Sequence, residues 1–176
     1  MTTETPSFII SEAGGDKEFY AAYGLSLSLW SWVEHALCRV YLRVAHSPNM
    51  ESLGRAFFAV TLFRDKVAMV DVLVNEPLAK SDPHGRLGAE WKSLKSKLRR
   101  AAQNRNSIAH VSVWSSPGLG SYGYGSIWNL AELPIEPVAR ERYVITLRKM
   151  RDIGQGFEST ARRLEAFAET LHRPAD

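Results

Sequence analysis

Four long stretches of this chain carry apolar residues at alternating steps of three and four. That spacing lines one face of an α-helix and favours helix over strand. The predicted helices run from about Asp16 to Ala45, from about Glu51 to Asn75, from about Arg86 to His110 and from about Thr146 to Leu171. Short connections between amphipathic helices are typical of antiparallel bundles. We therefore predict an all-α fold, an antiparallel four-to-five-helix bundle.

The helical pattern stops between the third and fourth stretches. Residues 110–114 alternate small or polar with apolar side chains, residues 115–126 hold four glycines, and residues 127–133 can return as a strand. We predict a small β-hairpin or a Gly-rich loop inserted before the last helix. The loop contains a literal G-x-G-x-x-G, but no helix opens after its last glycine, Gly123. A dinucleotide site needs that helix, so we do not expect one.

The length of 176 residues and the 45% hydrophobic content suit one ordinary domain. We predict a flexible N-terminal tail over 1–15 and a single helical domain over 16–172. The lone cysteine, Cys38, excludes an internal disulfide, and no two histidines share an i,i+4 spacing, so we expect neither metal nor cofactor. The longest uncharged run that is mainly apolar, 19–33, is shorter than the ~20 residues of a membrane span, so we expect a cytoplasmic protein without membrane contact.

Two of the predicted apolar seams contain a charged residue, Glu34 in the first helix and Arg105 in the third. Burying a guanidinium costs several kcal/mol unless a partner accepts its hydrogen bonds. The two charges can form a structural ion pair, or Glu34 can orient Arg105 within a functional site. Arg64, at the edge of the second helix's apolar stripe, can reach the same polar pocket.

The third helix also concentrates positive charge. Residues 86–105 contain seven Lys and Arg against Glu90 alone, a net charge of +6, although the whole chain carries only +3. A concentrated basic face can follow a phosphate backbone. The alternative is an ordinary solvated helix surface.

The end of this helix places Arg105, Asn106 and His110 within six residues. Arginine binds phosphate and stabilises charge on a phosphoryl oxygen, and histidine transfers protons near neutral pH. RNA supplies its own nucleophile, the 2′-OH, so these groups can cleave RNA without metal. Five helical steps leave Arg105 and His110 ~140° apart. A joint site therefore needs the helix to end near His110, or a second copy that completes a cleft at a twofold axis.

The segment 105–110, at the end of the third long helix of a predicted bundle, resembles the R-x(4–6)-H signature of the HEPN superfamily (higher eukaryotes and prokaryotes nucleotide-binding). A polar residue usually follows the Arg in that signature, as Asn106 does here. The resemblance covers about residues 16–171. It implies a homodimeric helical bundle and, in many members, a metal-independent endoribonuclease of toxin–antitoxin, phage-defence or RNA-processing systems.

The resemblance makes Arg105 and His110 the catalytic residues, with Asn106 in support. Further support is expected from Glu34 and Arg64. The residues expected to guide the RNA are Lys92, Lys95, Arg99 and Arg100. Some toxins carry a Tyr two residues after the His that a partner nucleotidyltransferase modifies, but Ser112 stands there in this chain. No antitoxin partner is identifiable. The alternative is a non-catalytic HEPN-like module that binds a nucleotide or a protein partner.

Overall fold

Helices dominate this computed structural model, which describes residues 7–10, 16–45, 48–82, 85–109, 111–112 and 144–171. The five helices are α1 (Asp16–Ala45), α2 (Met50–Ala59), α3 (Phe63–Ser81), α4 (Arg86–Ala109) and α5 (Leu147–Thr170). Three short strands accompany them: β1 (Ser7–Ile10), β2 (Val111–Ser112) and β3 (Val144–Thr146). The prediction of a mainly helical chain is confirmed for this part. None of the described helices is long and apolar enough to cross a membrane.

Backbone contacts divide the chain into two compact units. Residues 1–28 and 103–155 form the first, which we call the sheet unit, and residues 29–102 and 156–176 form the second, the bundle unit. The division falls inside α1, α4 and α5, so these helices contribute residues to both units. The predicted single domain over 16–172 stays a prediction.

The sheet unit contains a three-stranded sheet in the order β2-β1-β3, with both neighbours parallel to β1. Beside it, the Ser26 hydroxyl of α1 donates a hydrogen bond to the backbone oxygen of Met150 in α5. Arg151, the next residue of α5, pairs with Glu18 near the start of α1 at 3.1 Å. These contacts fix the first half of α1 against the first turns of α5.

The predicted insertion and tail are only partly described. Val111 and Ser112 form a strand, but their described partner is β1, which lies in the segment predicted as a flexible tail. The Gly-rich loop and the predicted return strand at 127–133 lie outside the described residues. The hairpin therefore stays a prediction.

The bundle unit has a core of large apolar side chains from all five helices. Trp30 of α1 contacts Phe63 of α3 and Phe157 of α5, with ring centroids 4.5 and 5.5 Å apart. Trp91 of α4 stacks on Phe167 of α5 at 5.6 Å. The seam residues predicted for α1, α4 and α5 are mostly buried, as in Leu37, Leu94, Leu98, Ala161 and Leu164. The prediction of a helical bundle is confirmed in this unit.

The prediction of one continuous helix from about Glu51 to Asn75 was wrong, because α2 ends at Ala59 and α3 begins at Phe63. Val60 leaves the helix with extended backbone angles, φ −71° and ψ 117°. Phe57 contacts Tyr41 and Phe63 contacts Trp30, both on α1. Six steps of one straight helix would point Phe57 and Phe63 about 120° apart. The break lets both rings reach α1.

The predicted end of that helix at Asn75 was also wrong, since α3 continues through Pro77 to Ser81. A proline removes one amide donor and usually ends or kinks a helix. Here it lies close to the end of α3, and one further turn follows it. Asp82 then caps α4, because its carboxylate accepts from the backbone N–H of Arg86 at 3.1 Å and of Gly88 at 2.9 Å.

Two helical glycines offer a test of the described packing. A Cβ added at Gly24 of α1 or Gly156 of α5 meets nothing within 4 Å. We expect Gly24→Ala and Gly156→Ala each to raise the free energy of unfolding by about 1 kcal/mol, because alanine restricts the unfolded chain and favours helix. Gly85, with φ +64°, is the matched control, and Gly85→Ala should destabilise. Urea unfolding measures all three. A destabilised Gly24→Ala or Gly156→Ala protein contradicts the packing described.

Candidate functional site

The last turn of α4 holds the Arg105–Asn106 pair, within the sheet unit. Arg105 is half-buried, and its Nη1 donates a hydrogen bond to Oδ1 of the exposed Asn106 at 3.3 Å. This is its one hydrogen bond to a described residue, so most of its five N–H donors remain for another acceptor. Ile108, further along the predicted seam, is fully buried. The buried Ile108 thus anchors this turn, and the Arg105 guanidinium and the Asn106 amide lie at its partly exposed side.

His110 lies outside the described residues. That Arg105 and His110 lie in one catalytic site therefore stays a prediction. Of the three predicted catalytic residues, the structure brings Arg105 and Asn106 together.

The seam charge of α1 has a partner that the sequence pattern did not indicate. Glu34 Oε1 accepts a hydrogen bond from Lys66 Nζ of α3 at 3.0 Å. Lys66 is only 6% exposed, and its ammonium lies 5.3 and 5.2 Å from the ring centroids of Phe57 and Phe58. A buried ammonium needs such compensation. Glu34 and Lys66 form a structural ion pair inside the bundle unit.

A signal for Lys66 exists in the sequence, because it precedes Val70 by four positions and Val70 precedes Val74 by four. Those two valines are fully buried. The apolar stripe of the predicted second helix instead indicated Arg64 as the residue near the polar pocket. The Arg64 side chain is 84% exposed and pairs with its neighbour Asp65 at 3.0 Å.

The remaining nucleophilic and metal-binding side chains give no competing site among the described residues. Burial raises the pKa of the Cys38 thiol, although the positive charge of Lys66 opposes this effect. A raised pKa disfavours the reactive thiolate near neutral pH. In the described ranges, no three His, Cys, Asp or Glu side chains are placed to hold a metal ion.

In the described chain, cations without a carboxylate partner are concentrated on α4, although Arg148 and Arg163 of α5 also lack one. Outside α4, seven Lys and Arg side chains pair with a carboxylate at 2.6–3.4 Å, namely Arg39, Arg43, Arg55, Arg64, Lys66, Arg151 and Arg162. On α4, six cations have no carboxylate partner among the described residues. Arg105 is one of them, and the other five are Arg86, Lys92, Lys97, Arg99 and Arg100. All five are exposed. We call this surface the α4 basic face.

Lys95, predicted to bind RNA, is engaged within the bundle unit. Asp71 of α3 accepts hydrogen bonds from Lys95 Nζ at 2.9 Å, from Trp91 Nε1 at 2.7 Å and from Asn75 Nδ2 at 3.0 Å. Partial burial by itself would raise the pKa of Asp71, but hydrogen bonds from Lys95, Trp91 and Asn75 and the charge of Lys95 lower it overall. The ionised carboxylate therefore joins α3 to α4.

The lowered pKa predicts a pH dependence of stability. An aspartate whose pKa is lower in the folded than in the unfolded protein stabilises the fold above its ordinary pKa of about 3.9. That contribution is lost as the pH falls through the folded value. We expect Asp71→Asn to lower the free energy of unfolding by about 1–2 kcal/mol at pH 7 and by clearly less at pH 3. Urea unfolding at both pH values measures this, and an equal loss at both contradicts the ionised role of Asp71.

Comparisons of the chain with protein-family models, with curated proteins and with solved structures gave no match. The chain's own residues therefore carry the functional proposal.

Proposed function

We propose that the protein is a metal-independent endoribonuclease of the HEPN type, with a composite site at the interface of a homodimer. Arg105, Asn106 and His110 build that site. The observation that carries the proposal is the half-buried Arg105 guanidinium at the end of α4, beside the exposed Asn106 amide and with donors to spare. An arginine held in this way suits the binding of a scissile phosphate.

The reaction follows from the chemistry of these groups. One His110 imidazole takes the proton of the RNA 2′-OH, and the 2′ oxygen attacks the adjacent phosphorus. The bond from phosphorus to the 5′ oxygen breaks, and an imidazolium, His110 of the partner subunit, gives that oxygen a proton. Arg105 stabilises the charge on the phosphoryl oxygens, and Asn106 orients Arg105. The products carry a 2′,3′-cyclic phosphate and a 5′-hydroxyl.

The composite site requires a second copy of the chain. Five helical steps separate Arg105 from His110, which leaves the side chains ~140° apart on a regular helix. A twofold axis brings two arginines and two histidines into one cleft. We expect size-exclusion chromatography with light scattering to give the mass of a dimer. A strict monomer contradicts the composite site.

Cleavage assays with EDTA present test the activity. Total RNA and tRNA serve as substrates for the wild type, Arg105→Ala and His110→Ala. Arg55→Ala is the matched control, since the Arg55 side chain is 79% exposed and its ion pair is with Glu51, one turn away on α2. We expect the wild type and Arg55→Ala to cleave, and the two site variants to lose activity. RNA binding without cleavage by folded wild type would instead favour the non-catalytic module.

A further inference from the structure

The α4 basic face groups five exposed cations on one helix. Its outermost members in sequence, Arg86 and Arg100, are about 21 Å apart along the helix axis. Around the axis, Arg99, Lys92, Arg100 and Lys97 fall within an arc of about 160°. The only acidic residue of α4, Glu90, is half-buried. The arc lies within residues 86–100, so it belongs to the bundle unit alone.

Among the described residues, most of the cations without a carboxylate partner lie on α4, although Arg148 and Arg163 of α5 also lack one. The described cations of α1, α2 and α3 pair with Glu or Asp side chains of their own or a neighbouring helix, so carboxylates are within reach of most surface arginines. Five exposed cations of one helix that lack a carboxylate partner among the described residues repel one another and reduce stability unless an anion joins them. An external polyanion supplies that compensation.

The surface lacks the features of a protein-binding face. Protein interfaces centre on exposed aromatic or aliphatic anchors. The large apolar side chains that are exposed in the described residues all lie outside α4. The one aromatic residue of α4, Trp91, is 1% exposed and donates its indole N–H to Asp71. It is therefore not available to stack on a base, which is how many proteins hold single strands.

We infer that the α4 basic face binds the phosphate backbone of nucleic acid without reading the bases, and that Asp71 limits this face by holding Lys95. The choice of RNA as the natural ligand rests on the proposed function, whereas the surface itself holds DNA and RNA equally. Affinity comes from counterion release, so it falls steeply with salt. On a single strand, each phosphate contact contributes about −0.7 to the slope of log affinity against log salt concentration. With at least about two such contacts, we expect a slope of about −1.4 or steeper.

Fluorescence anisotropy of labelled oligonucleotides tests the surface. The probes are oligodeoxythymidine and 2′-O-methyl oligouridine of about 20 nucleotides, which lack a free 2′-OH and stay uncleaved, titrated between about 50 and 200 mM KCl with EDTA. The test variant combines Lys92→Gln, Arg99→Gln and Arg100→Gln. The control combines Arg39→Gln, Arg55→Gln and Arg162→Gln, which removes the same charge from exposed arginines that have carboxylate partners.

We expect the wild type to bind both probes with similar affinity. The α4 triple variant should bind at least about tenfold more weakly at 100 mM salt, with a slope shallower by about 2, while the control stays within about twofold of the wild type. Equal losses in both triple variants, or no loss in the α4 variant, overturn the inference. Strong preference for one of the two probes, or absence of binding by folded wild type, overturns it as well.

The limiting role of Asp71 has its own test. Asp71→Asn releases the Lys95 ammonium, so the slope should steepen by about 0.7 and both probes should bind more tightly. Asn75→Ala, which removes a neutral donor to Asp71, is the control for a disturbed network. An unchanged slope in folded Asp71→Asn contradicts this role. The two proposals can fail separately. If the wild type cleaves RNA but the α4 triple variant binds the probes as well as the wild type does, only the binding surface is contradicted. If the wild type binds the probes but cleaves no RNA, only the proposed catalysis is contradicted.

Discussion

The Arg105→Ala protein is expected to cleave tRNA in EDTA about 100- to 1000-fold more slowly than the wild type, because it loses the donor that stabilises charge on the phosphoryl oxygens. Arg105→Lys should recover part of this loss, since lysine keeps the charge but not the two-pronged geometry. His110→Ala should lose about 100- to 10,000-fold through the missing proton transfer. Initial rates on one purified tRNA, compared with Arg55→Ala, measure these effects.

A structural role for Arg105 predicts a different pattern. In that case Arg105→Ala and Arg105→Lys lower the free energy of unfolding and leave the cleavage rate per folded molecule unchanged. Urea unfolding and circular dichroism of each variant separate the two roles. If folded Arg105→Ala protein cleaves RNA at the rate of the wild type, the proposed catalytic role of Arg105 is contradicted.

Glu34→Gln is expected to lower the free energy of unfolding by about 2–3 kcal/mol. The substitution leaves Lys66 buried without its counter-charge, and an uncompensated buried charge is strongly destabilising. Lys66→Met should cost clearly less, because methionine fills the same space and the remaining Glu34 side chain is 26% exposed to water. Urea unfolding at neutral pH measures both variants.

The double variant Glu34→Gln/Lys66→Met distinguishes charge from packing. Replacing both partners of a buried pair is often nearly neutral. We expect the double variant to be more stable than Glu34→Gln alone. The loss of unfolding free energy in the double variant is then smaller than the sum of the two single losses. Losses that simply add would contradict an ion pair between these residues.

The period of the apolar residues was enough to predict α1, α4 and α5, because in each helix the buried apolar residues keep one register along its length. It failed at the break between α2 and α3. The spacing continues in register through Val60, so local periodicity favours one helix. Only the packing of Phe57 and Phe63 on α1 shows why the chain must turn there. The prediction of the helix end was misled by Pro77, which a final helical turn tolerates.

The candidate site was predictable where it depends on neighbours in sequence. Arg105 and Asn106 are adjacent, and both lie at the end of the predicted helix. Partners distant in sequence were not predictable. Asp71 holds Lys95 from 24 positions away, and Lys66 reaches Glu34 across 32. In the sequence, Lys95 and Lys66 each look like an exposed helix residue. Whether such a lysine is paired depends on which carboxylate the packing of the helices brings near it.

The most direct measurement of the central claim is the chemistry of the product ends. Wild-type protein is incubated with an RNA oligonucleotide, and with the same sequence carrying 2′-O-methyl groups, in EDTA, and the products are identified by mass spectrometry. The account predicts fragments with 2′,3′-cyclic phosphate and 5′-hydroxyl ends from the RNA, and no cleavage of the 2′-O-methyl strand. Cleavage of both strands, 5′-phosphate ends, or cleavage only after a divalent metal is added would contradict it.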